Sequence, residues 1–145
     1  VDIAILTNRS SDDALALVAA LSDLGHDLHI LIQSELTNAN LDTMRREYDH
    51  IMSADLALMV GRYVTPGMVF GAGVAVGAMT PLVAVLQDDE ADDTAPCAPA
   101  MRFASRSVPD AASALELVAR YHRFLLGQGD SDVNPLLSTG AAHEC

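Results

Sequence analysis

Residues 53–86 read SADLALMVGRYVTPGMVFGAGVAVGAMTPLVAVL. After Ala54-Asp55 comes an unbroken apolar run, 56–60, with the length and composition of a strand buried on both faces. Residues 61–67 read as a loop. The piece 68–78 is rich in Gly and Ala and stops before Thr80-Pro81, where a helix should end because proline drives its predecessor out of the α region. Residues 82–86 then form another buried strand. Strand, loop, helix and strand, with no polar face on either strand, is the repeat of a parallel sheet covered by helices on both sides.

The pattern extends in both directions. Upstream, 1–6 predicts a buried strand and 11–24 a helix. Ser10 or Ser11 can cap that helix, and Asp12 and Asp13 suit the positive end of its dipole. Gly25 stops it. Residues 27–32 predict a second strand, and the polar stretch 33–40 crosses to a helix over 41–53. Downstream, 102–105 predicts a fifth strand. Residues 109–126 predict an amphipathic helix with Pro109 in its first turn and apolar residues at Ala111, Leu115, Val118, Tyr121 and Leu125. Right-handed crossovers make this a single α/β domain, doubly wound and flavodoxin-like, with about five parallel strands. Ligands of that fold sit at the carboxyl ends of the strands, here near 7–11, 61–67 and 87–93. The acidic run 88–93, followed by Pro96 and Pro99, reads as a solvated loop or as a lid beside the site. The domain covers 1–127. The tail 128–145 has little pattern, and is either unstructured or laid across a neighbouring subunit.

Composition narrows the chemistry. The chain has 145 residues, half of them hydrophobic and only 4% aromatic, so Ala, Val, Leu, Ile and Met must build the core. A net charge of −12 argues against a nucleic-acid partner. It leaves room for a small phosphorylated ligand, which arginines and backbone N–H groups can hold locally. All eight basic residues are arginine. Without lysine there is no Schiff base, no P-loop lysine and no pyridoxal-phosphate chemistry. Cys97 and Cys145 form no metal-ligand spacing, and no third ligand joins His26 and His29, so neither a metal nor a cofactor is expected. The apolar stretch 68–86 is broken by Gly, Thr and Pro, which disfavours a membrane span. No basic region precedes the first apolar run. The expectation is a cytoplasmic protein without membrane contact.

The segment 53–86 resembles the core block of nucleoside 2-deoxyribosyltransferases and their relatives, the 2′-deoxynucleoside 5′-phosphate N-hydrolases and CMP-type N-glycosidases. Ala54-Asp55 matches the pair before the family's buried strand. Gly73 and Ala75 match the last two residues of its helical E-x-G-x-A pattern, and Pro81 matches the start of its next strand. The piece MRFASRSVPDAASALELVARYHRF, 101–124, resembles the hydrolases' closing strand and helix. The departure is at Gly71, which stands where the family has its nucleophilic glutamate.

Breaking an N-glycosidic bond builds positive charge on the sugar, which a carboxylate attacks or stabilises, while an acid protonates the departing base. Gly71 can do neither. By the resemblance, Asp55 would touch the sugar or the base and is the candidate catalytic carboxylate; its alternative is bonding at the start of the strand. Glu90 and Glu144 are further carboxylates that a loop or a neighbour would supply. Thr65 matches a phosphate-binding hydroxyl, and Gly67 opens the helix whose amino end would receive the phosphate. Arg9, Ser10 and Ser11 would complete that site. Arg62 and Tyr63 would stack on a base or close over the sugar. Asn134 would reach a partner's pocket in a homodimer or larger assembly; a heteromer is the other possibility. The expected ligand is a nucleoside or a nucleoside 5′-monophosphate. The expected function is an enzyme acting at an N-glycosidic bond with a relocated carboxylate. The alternative is an inactive nucleotide-binding regulator or a scaffold subunit.

Overall fold

The computed structural model describes residues 1–7, 12–32, 41–61, 66–85, 104–128 and 133–136. Five strands form one sheet: β1 (Asp2–Thr7), β2 (Asp27–Ile32), β3 (Leu56–Val60), β4 (Leu82–Val85) and β5 (Arg106–Val108). The four helices described are α1 (Asp12–Asp23), α2 (Leu41–Ser53), α3 (Pro66–Gly77) and α4 (Ala111–Leu125). The strand order is β2-β1-β3-β4-β5, and every pairing is parallel. This is the doubly wound, flavodoxin-like arrangement expected from the alternation of apolar strands and helices.

Alternating side chains divide the core between the two faces of the sheet. On one face Ile3, Ile5, Leu56, Leu58, Val83 and Val85 pack under α1 and α4, where they meet Leu17, Leu21, Leu117 and Val118. On the other, Ala4, Leu6, Ala57, Met59, Leu82 and Ala84 pack under α2 and α3, against Ile51, Met68, Ala72 and Ala75. Ala4 and Ala57 are register partners. Their small side chains lower the centre of this face, where α3, itself rich in Gly and Ala, seats closely.

The largest departures from the sequence reading are at the start of α3, at β5 and at the start of α4. α3 begins at Pro66, two residues earlier than predicted, because a helix tolerates proline in its first turn, where no intrahelical N–H bond is lost. β5 lies at Arg106–Val108 rather than 102–105; Ser105 N donates to Leu82 O at 2.7 Å, and pairing with β4 continues from Val83↔Arg106. α4 is capped by Asp110, whose carboxylate accepts from Ser113 N at 2.7 Å, so Pro109 lies outside the helix. The stop at Gly25 stands as read, with φ +86. Ser10 and Ser11, the expected caps of α1, lie outside the described residues. Among the described residues no helix is long and apolar enough to cross a membrane.

Candidate functional site

β1 ends at Thr7 and β3 at Val60, and these two residues are register partners. From there the chain winds in opposite directions. β1 leads through α1 to β2 on one flank, and β3 leads through α3 to β4 on the other. Such a reversal is where open α/β sheets receive their ligands. α3 starts at this edge, so the positive end of its dipole, at Pro66-Gly67, lies beside the reversal. Gly67 and Gly71 are one helical turn apart on the same side of α3, and both are buried. Arg9, Ser10, Ser11, Arg62, Tyr63 and Thr65 follow the ends of β1 and β3 in the chain and lie outside the described residues, as do Glu90 and Glu144.

Asp55 is elsewhere. It precedes β3, at the amino edge of the sheet. There its Oδ2 accepts from Asp2 N at 3.0 Å, and its own N–H donates to Asp2 O at 2.8 Å. Tyr121 Oη donates to Asp55 O at 3.4 Å. Burial, and then the Asp55 charge, push the Tyr121 phenol above its ordinary pKa. The length of β3, about 15 Å at strand rise, separates Asp55 from the carboxyl edge. The geometry fits the alternative expected for Asp55, bonding at the start of the strand: within one chain its carboxylate ties β3 to β1 at the edge opposite the amino end of α3.

Asn134 is also committed locally. Its Oδ1 accepts from Leu136 N at 2.9 Å, the short-range bond by which Asn favours turns. Leu136 is only 1% exposed and belongs to the α1/α4 core of its own chain. Arg106 Nη1 donates to Pro135 O at 2.8 Å and fastens the same segment to β5.

The sequence reading missed two histidine pairs. His29 of β2 stacks on His50 of α2, with ring centroids 4.1 Å apart, and His26 meets His122 of α4 edge-on at 5.3 Å. Among the described residues, no group of three or more His, Cys, Asp or Glu that could hold a metal ion includes either pair. Nothing in the spacing of His26 and His29 signals these partners, because both are distant in sequence.

No protein-family model matches the chain, and no curated protein does. Solved structures do. A conserved protein from Enterococcus faecalis V583 superposes with a TM-score of 0.58 at 17% identity, over 80% of this chain and 96% of its own. The CMP N-glycosidase BcmB from Clostridium botulinum superposes with a TM-score of 0.50 at 15% identity, over 81% of this chain and 98% of its own. The chain shares the fold of a CMP N-glycosidase. The likeness spans nearly the whole of that enzyme.

Proposed function

We propose that this chain binds a nucleoside or nucleoside 5′-monophosphate at the carboxyl edge of its sheet and acts on the N-glycosidic bond. The observation that carries this reading is the amino end of α3, with buried Gly67 and Gly71, beside the β1/β3 reversal of a fold shared with a CMP N-glycosidase. A helix amino terminus favours an anionic group such as a phosphate, and glycine lets a ligand approach the backbone.

The reaction still needs a carboxylate. Gly71 has none, and Asp55 is bonded at the other edge. Another carboxylate has to serve as nucleophile or base, and Glu90 and Glu144 are the first to replace. The test is a thermal-shift panel of nucleosides and nucleoside 5′-monophosphates, with chromatographic detection of free base. Stabilisation with base release supports a working N-glycosidase. Stabilisation without release supports the nucleotide-binding regulator instead, and no response to any of them rejects both.

The same reading includes a homodimer. α3 contains no charged residue, and its outer face presents Phe70, 56% exposed, and Val76, 43% exposed. Exposed Met52 of α2 and Tyr48, whose ring stacks on Phe70 with centroids 6.3 Å apart, extend the apolar surface. Asp42, Arg45, Arg46 and Asp49 on exposed positions of α2 give it a rim of both signs. Two copies related by a twofold axis can set those charges in opposition around an apolar centre.

A further inference from the structure

Four of the chain's five histidines meet in two ring contacts, and each contact joins β2, or the residue leading into it, to a helix. We infer that the two contacts form a proton-operated clamp, which holds β2 against α2 and α4 at neutral pH and releases it when the rings become charged.

The contacts lie on opposite sides of the strand. The register Ala4↔His29 places His29 on the face that carries α2 and α3. There it stacks on His50 of α2, with ring centroids 4.1 Å apart and planes 20° from parallel. His26 stands just before β2 and meets His122 of α4, the helix of the other face, at 5.3 Å and 70°. The strand has few other ties to the core. β1 is buried at every residue but its first, and β3 throughout. β2 is the last strand of the sheet on its side. Of its described side chains only Leu31 is buried, and Ile30 is 45% exposed.

Histidine is the side chain whose ordinary value puts its change of charge between pH 5 and 8. Neutral imidazoles can stay in contact, whereas two imidazolium charges at these separations repel. All four rings are partly buried, so water screens that repulsion incompletely. The surrounding charges have both signs. On the α2 side the register partners Asp2 and Asp27 share the face of His29, and Arg46 and Glu47 lie one turn before His50. On the α4 side Asp23 closes α1 and Arg123 follows His122. Carboxylates and guanidiniums ordinarily keep their charge near neutrality, so the rings are what changes. Burial first, and also His122, hold His26 below its ordinary value of 6.5, as fits a ring that is charged at a cost. The released strand takes up protons more readily, so the clamp is complete above that value and is lost as pH falls below it.

The test is backbone hydrogen exchange of the full chain at pH 7.5 and 5.5, each rate divided by that of an unstructured peptide of the same sequence at the same pH. Protection of the β2 amides that bond β1 should fall about tenfold more than protection in β3 and β4, the scale of one pair of like charges in a partly exposed site. The double variant His50→Phe/His122→Phe keeps a ring in each contact and removes the second charge. Its β2 protection should match the parent at pH 7.5, and the extra loss at pH 5.5 should vanish. Each single variant should keep part of that loss, so the test survives a double variant that does not fold. Equal loss in β2, β3 and β4 would mean general acid unfolding. A loss that persists with phenylalanine would mean that charge between the rings is not its cause. Either result overturns the clamp, as does β2 protection that does not change with pH. None of these readouts involves nucleotide binding or base release, so the clamp stands or falls apart from the function proposed above.

Discussion

Thr80 shows how much one side chain can hold at the amino edge of this sheet. It is 6% exposed, and its Oγ1 donates to Ile51 O at 3.0 Å, joining the chain before β4 to the end of α2. Thr80→Val keeps the shape and leaves that carbonyl unpaired, so urea denaturation should report a loss of about 1–3 kcal/mol. Asp55 has the same kind of role between β1 and β3. Asp55→Asn should therefore leave any base-releasing activity within about twofold of the parent; a larger loss, near the 10²–10⁴-fold expected for a general acid or base, would return Asp55 to the chemistry. His26 gives the protein an acid sensitivity. Burial first, and also His122, hold His26 below its ordinary value of 6.5. The unfolded chain binds that proton more readily, so the stability His26 contributes is complete above 6.5 and is lost as pH falls from there through its folded value. Unfolding midpoints should drop between pH 7.5 and 5.5, and His122→Gln should reduce the drop.

At the scale of elements, backbone conformation and packing give separable effects. Gly25 ends α1 at φ +86, and a Cβ there would meet nothing within 4 Å. Gly25→Ala should cost about 1 kcal/mol by denaturation, from the left-handed backbone alone. Gly73, inside α3, also has open space for a Cβ. Gly73→Ala should stabilise the protomer by about 0.5–1 kcal/mol, because glycine is a poor helix former. If α3 forms the proposed interface, the added methyl should also weaken association. The bounds of β2 and β3 were legible in the sequence, because apolar runs between turn residues leave little freedom there. The start of α3 was less so, since Gly and Pro suit both a loop and a first helical turn. β5 was displaced because three residues are too few to show a period, and its place is set by pairing with β4. Of the candidate site, the glycines of α3 could be placed from the sequence. The role of Asp55 could not, because an acidic residue before a strand reads alike as catalyst or tether.

For the whole molecule, the exposed apolar face of α2 and α3 bears on assembly. Phe70→Arg would put a charge at the centre of the proposed interface while leaving the buried side of α3 intact. Light scattering after size exclusion should then show a protomer in place of a dimer, with unchanged secondary structure by circular dichroism. A protomer in the parent chain would reject the dimer. The segment Val133–Leu136 belongs to the molecule as firmly as the helices do. Leu136 fills a place in the core, and Arg106 and Asn134 fasten the turn that delivers it. A carboxypeptidase trimming the chain from its end should consequently stall short of Leu136. Shortening the protein to residue 128 would open a hole beneath α1 and α4 of the kind that costs about 2–5 kcal/mol, so the smallest autonomous folding unit extends past the last helix to Leu136.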